Sequence, residues 1–192
     1  MQRGRRLLSL LLTLALTVSL FAVPVMADDS YSDTHGHWAE SSIERWSEYN
    51  IVSGSDGAFM PDASMTRGQL AKVLANMLGL TETAANNPFS DVSDTAWYAP
   101  YMLRCYAAGI MLGANGKGNP DAPVSRQEAM TMIARALNIE PLDTSTLDGY
   151  KDANGVADWA AGYVAALTSA GIVGGVGDSI LAPTMISTAR RS

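Results

Sequence analysis

A single cysteine, Cys105, stands in 192 residues. That excludes an intramolecular disulfide framework, so the fold must rely on packing. Cys105 shares a helical face with Tyr98, Tyr101 and Met102 and reads as a buried bystander rather than a reactive thiol. Histidine is nearly as scarce. His35 and His37 are the only two, and with Asp33 as the one obvious local third donor they fall short of the three or four ligands a transition-metal site needs. No metal or other cofactor is expected. Because both histidines lie at the N-terminal edge, no nucleophile, base and orienting group come together, and no catalytic residue is assigned. Positive charge is also short: 13 Lys and Arg face 19 Asp and Glu, for a net charge of -6. A chain of this sign repels phosphate backbones, so nucleic acid is excluded as a partner.

What is present begins with Arg3, Arg5 and Arg6, an apolar run from Leu7 to Val23, and the small-residue ending Val25-Met26-Ala27. A basic head, a short apolar middle and an A-x-A-like tail read as a secretory signal peptide over residues 1–27. The run is too short for a stable membrane span, and nothing as apolar follows it. Without those three arginines the remainder carries 10 basic against 19 acidic residues, a net charge of -9.

That remainder repeats. Trp38, Trp97 and Trp159 are 59 and 62 residues apart, and Pro61, Pro120 and Pro183 follow at 59 and 63. An aromatic-x-Asp opens each unit, as Tyr31-Ser32-Asp33, Phe89-Ser90-Asp91 and Tyr150-Lys151-Asp152. Asn50-Ile51, Gly109-Ile110 and Gly171-Ile172 fit left-handed caps closing a first helix, and a Gly-rich loop follows each. Neither Gly54 to Gly57 nor Asn115 to Gly118 has the ligand pattern of a calcium or phosphate loop, so both read as turns. A second helix starts at Thr66-Arg67-Gly68-Gln69 and at Ser125-Arg126-Gln127-Glu128, both capping boxes ahead of an apolar stripe. The reading is all-α: helix-loop-helix repeats at 28–80, 89–139 and 150–192, with linkers at 81–88 and 140–149. After Pro183 the chain reads Thr184-Met185-Ile186-Ser187-Thr188-Ala189-Arg190-Arg191-Ser192, with Ala189 where Arg67 and Arg126 fall. The third copy is therefore expected to be truncated, lacking both the hydroxyl-Arg pair and its second helix.

Together, aromatic-x-Asp, His37-Trp38-Ala39, Phe59-Met60-Pro61 and Thr66-Arg67 resemble the S-layer homology (SLH) family, over nearly all of the chain past the signal peptide. The resemblance implies a pseudo-threefold bundle with the second helices at the centre and the first helices as outer prongs. It implies a secreted, cell-wall-associated protein that binds secondary cell-wall polysaccharide noncovalently, often through pyruvylated sugars, without catalysis. A pyruvyl ketal presents a carboxylate, which an Arg fork at a helix N-terminus would meet. Arg67 and Arg126 hold that position although the helix dipole disfavours cations there, and they are the leading ligand contacts.

Family usage adds Asp33 and Asp91, Trp38 and Trp97, with Gly54 and Gly113 letting a ligand approach the backbone. Asp152 and Trp159 are their third-copy counterparts. Competing roles stand beside these: capping or turn formation for the aspartates, prong-helix packing for the tryptophans, and surface ion pairs for the arginines. A wall-polysaccharide hydrolase and a self-assembling structural envelope protein are the alternative functions. Without a third central helix, self-association or a partner chain would complete the bundle.

Overall fold

A computed structural model describes residues 31–186. The expected signal peptide and the Ala189 and Arg190 positions lie outside them. Five helices follow in order: α1 (Glu40–Glu48), α2 (Arg67–Met77), α3 (Ala99–Ala107), α4 (Arg126–Ala136) and α5 (Asp158–Ser169), with 3-10 turns at Thr144–Leu147 and Ala153–Gly155 before α5. Among the described residues there is no strand, only isolated bridges, and no helix is long and apolar enough to cross a membrane. The fold is all-α.

The local signals act as their chemistry predicts. At α2 the Thr66 amide donates to Gln69 Oε1 at 2.8 Å while the Gln69 amide donates back to Thr66 Oγ1 at 3.3 Å. At α4 the Ser125 amide donates to Glu128 Oε2 at 2.9 Å. The first helices end on positive φ, 56° at Asn50, 71° at Gly109 and 68° at Gly171. The following isoleucine amides then return to Trp46, Cys105 and Leu167 carbonyls at 2.8–3.0 Å. This backward bond satisfies carbonyls that the helix end would otherwise leave unpaired.

The core forms between repeats rather than within one. Leu70, Ala71 and Leu74 of α2 bury against Met102 and Cys105 of α3, together with Ile110, Met111 and Val124. Met130 and Ala134 of α4 do the same with Val164 and Leu167 of α5, and with Leu147 and Leu181. Each fully buried aliphatic side chain of this size contributes roughly 1.5–3 kcal/mol, so these two seams are the main source of stability. Gly68 explains how close the first seam is. A Cβ there would stand 3.0 Å from Tyr98 Cβ and 3.2 Å from the Pro120 carbonyl, so glycine's poor helix propensity, about 1 kcal/mol, is offset by close packing.

Candidate functional site

Each loop is built once per repeat by its aspartate. Asp33 accepts from the Phe59 and Met60 amides at 2.8 and 2.6 Å. Asp91 accepts from Gly118 and Asn119 at 2.8 and 2.9 Å, and Asp152 from Leu181 and Ala182 at 2.8 and 2.7 Å. The Phe59 amide holds the Asp33 carboxyl below its ordinary range, with Met60 reinforcing it against slight desolvation. For Asp91 and Asp152, desolvation pushes upward and the paired amides outweigh it, so both also lie low. The second amide of each pair belongs to a residue forced to positive φ, Met60 at 58°, Asn119 at 48° and Ala182 at 52°. The carboxylate thus stabilises a turn that an L-residue otherwise avoids.

Gly54 and Gly113 serve the same loops. A Cβ on Gly54 would collide with the Ala58 carbonyl and reach Tyr31 Cε1 at 2.6 Å; one on Gly113 would meet the Lys117 carbonyl at 2.5 Å and Phe89 Cε1 at 2.6 Å. The missing side chains therefore face the loop's own backbone and the opening aromatic ring, and that close approach is what requires glycine.

The arginines lie at the seams. Arg67 Nε donates to the Gly118 carbonyl at 2.9 Å and its Nη1 to Glu128 Oε1 at 2.7 Å. Arg126 Nε donates to Leu181 O and its Nη2 to Gly174 O, both at 3.0 Å. The first-turn amides are also taken: Arg67 and Gly68 donate to Ala122 and Pro120, and Arg126 and Gln127 to Met185 and Pro183, at 2.8–3.0 Å. The carboxylate site expected from an arginine fork joined to a helix N-terminus is thus largely filled from within the protein, by the next repeat's carbonyls and by Glu128. Within these two guanidinium groups, Arg67 Nη2 and Arg126 Nη1 have no hydrogen-bond partner among the described residues. Glu128 was legible as a capping-box residue, but nothing in the sequence pairs it with an arginine 61 positions away.

Trp38 and Trp97 lie just before α1 and α3, and Trp159 is the second residue of α5. Trp38, Trp97 and Trp159 are 52, 54 and 53% exposed, so prong-core packing does not account for them. Trp97 stands next to Tyr98, which packs on Gly68 in the first turn of α2. Trp159 stands beside the start of α5, where the Ala157 amide donates to Gln127 Oε1 of α4 at 2.9 Å. Trp97 also shares a cleft lining with Gln69 of α2, and both indoles lie within two residues of a residue that contacts the preceding repeat's second helix. Cys105 is fully buried, its thiol pushed up to about 12 by desolvation and directed at the Ala71 carbonyl at 3.4 Å. His37 Nδ1 accepts from the Ala39 amide at 3.2 Å, a helix-start role.

Known proteins share this pattern. An exoglucanase, XynX, of Acetivibrio thermocellus is 29% identical over 83% of this chain and 15% of its own length. A cell surface protein of Thermoanaerobacter kivui is 28% identical over 92% of the chain and 22% of its own. The S-layer protein sap of Bacillus anthracis is 26% identical over 87% and 21%. The chain thus corresponds to a minor part of each relative. The model of the S-layer homology domain matches residues 30–71, 88–130 and 149–185, once per repeat, and with more than half of the chain covered in this way, it belongs to the S-layer homology domain family.

Proposed function

We propose that this protein is a non-catalytic anchoring module that binds an anionic secondary cell-wall polysaccharide noncovalently, through a pyruvylated sugar. The observation that carries the reading is the half-exposed indole recurring at one register in all three repeats. An indole left in water offers a broad apolar face with a polar edge, which suits stacking on a sugar ring. Trp97 and Trp159 would, in this reading, act with the remaining guanidinium nitrogens of Arg67 and Arg126, which suit a ligand carboxylate. In this reading Trp38 is a platform without such a partner, and Asp33, Asp91, Gly54 and Gly113 shape the loops around the ligand. The units 28–80, 89–139 and 150–192 act as one module.

A secreted, cell-surface location follows from the family. The enzymes among the relatives support anchoring rather than hydrolysis for this stretch, since the exoglucanase shares only 15% of its length with it. The net negative charge slows encounter with an acidic polymer, but charge beyond roughly 8 Å is screened at physiological salt, so local cations decide the contact.

The test is retention on purified cell wall, before and after chemical removal of its acidic substituents. Replacing Trp97 and Trp159 together with alanine should weaken retention by about tenfold or more, from roughly 1 kcal/mol per aromatic contact. Stripped wall should retain neither form. Undiminished retention by the double variant, or sugar released from the wall, would overturn the reading.

A further inference from the structure

Asn-Gly stands twice in this chain, at Asn115-Gly116 and at Asn154-Gly155, and the fold treats the two pairs differently. Both are exposed. At the second pair the Gly155 amide donates to the Asp152 carbonyl at 2.9 Å, within the 3-10 turn Ala153–Gly155. At the first pair, Asn115 and Gly116 are the two central residues of a hairpin turn closed by both bonds between Ala114 and Lys117, at 3.0 and 2.9 Å. Their φ angles, 51° and 69°, are those of a type I′ turn. Neither end of the peptide that joins them is tied: among the described residues the Asn115 carbonyl accepts no backbone hydrogen bond and the Gly116 amide donates none.

Turning that free peptide plane over converts type I′ into type II′, which leaves both Ala114–Lys117 bonds intact and takes the Asn115 ψ to roughly −120°. The Gly116 nitrogen then faces the Asn115 side-chain carbonyl across an incipient five-membered ring, with no Cβ on Gly116 to obstruct closure. A side chain added at Gly116 would meet no protein atom within 4 Å, so the turn stands clear of the fold and open to water.

We propose that Asn115 is a site of self-modification, converted with water into aspartate and isoaspartate while Asn154 is spared. The Gly116 amide gives its proton to hydroxide, and its nitrogen attacks Asn115 Cγ. The N–Cγ bond forms, the Cγ–Nδ2 bond breaks, and Nδ2 leaves as ammonia with a proton returned from water. Water then opens the resulting succinimide at one of its two carbonyls. Cleavage at Cγ gives aspartate; cleavage at the main-chain carbonyl gives isoaspartate, whose backbone runs through the side chain and is one methylene longer.

Repeats 1 and 3 already carry the aspartyl product. Asp56 and Asp178 hold the same turn position at φ 52° and 50°, and the carbonyls of the next residues, Gly57 and Ser179, take the Ser32 and Lys151 amides as Gly116 takes Ser90. The aspartate form therefore fits the loop. The isoaspartate form does not, because its extra methylene falls between the two central residues of a closed hairpin. Two residues further on, Gly118 holds Arg67 Nε with its carbonyl at 2.9 Å and is held by Asp91 through its amide at 2.8 Å. The longer turn thus loosens repeat 2 where it meets α2.

Ageing the purified full chain in warm, mildly alkaline buffer, followed by digestion and mass spectrometry, tests the proposal. The peptide holding Asn115 should gain the mass of an amide-to-acid change, in two chromatographic forms, severalfold faster than the peptide holding Asn154. In urea the two sites should convert at similar rates, since the dipeptide is then the same and the fold is gone. Equal rates in the folded chain, Asn154 leading, or an Asn115 that converts only after unfolding would each overturn it. Asn115→Asp should melt with the fresh chain, whereas the isoaspartyl fraction, separated by chromatography, should melt lower. An isoaspartyl fraction that melts with Asn115→Asp would overturn the effect on the seam.

Discussion

Repeats 1 and 2 share a pattern almost residue for residue, yet they bury different fractions of it. Ile110, Met111 and Cys105 are sealed, while Ile51, Val52 and Trp46 at the same positions face solvent or an open cleft. The local structure is not what separates them: both loops are tied by an aspartate to two amides and both first helices end on the same left-handed cap. The difference is the helix that comes before. Repeat 2 is covered by α2, and repeat 1 has no equivalent among the described residues. In this architecture a unit's core is completed by its neighbour, as expected of repeat proteins whose stability resides in nearest-neighbour interfaces.

That comparison can be broken by mutation. The largest effect is expected at Leu167, fully buried in the second seam, where Leu167→Ala should cost about 2–5 kcal/mol in urea unfolding. The same change at its exposed equivalent, Trp46→Ala, should cost under about 1 kcal/mol. Equal losses would mean that α1 is packed as tightly as α5, and the contrast between repeats would fall. A smaller effect is expected at the polar staple. Arg67→Ala removes a guanidinium held by Gly118 and Glu128 and should destabilise the first seam by about 1–3 kcal/mol. Protection of the α3 amides measured by hydrogen exchange should fall more than that of α1. Uniform loss across both helices would show that the arginine acts on the whole fold rather than on its seam.

The smallest effect concerns what the repeats have in common. Asp33, Asp91 and Asp152 all have carboxyls held below the ordinary aspartate range in the folded protein by their paired backbone amides. A lowered folded pKa gives stability that is complete above the unfolded value and lost as pH falls through the folded one. Thermal midpoints should therefore hold from neutral pH down to about 5 and decline below about 4. Asp33→Asn, Asp91→Asn and Asp152→Asn should each flatten that decline by a similar amount. A variant that flattens it alone would show that one loop is held differently from the other two.

Much of this was legible beforehand. The period of the tryptophans and prolines gave the repeat, Thr66 and Ser125 gave the starts of α2 and α4, and Asn50, Gly109 and Gly171 gave the ends of the first helices. Each is a signal carried by side chains within a turn or two of the place they act. The site was less legible. The position of Arg67 and Arg126 in the first turn of their helices was legible, but their partners were not, because Gly118 and Glu128 are 51 and 61 residues from Arg67. The exposure of Trp38, Trp97 and Trp159 was not legible either, because an apolar residue at helical spacing reads as core.

The sequence by itself determined the all-α class, the order of the elements and the membership of the family, since capping, periodicity and turn chemistry are local and survive in any surrounding. Only the tertiary structure decided which apolar faces are covered and where each guanidinium is directed. Burial and charge pairing depend on what the neighbouring repeat brings within a few ångströms, and equivalent residues in two repeats carry no mark of which one has that neighbour.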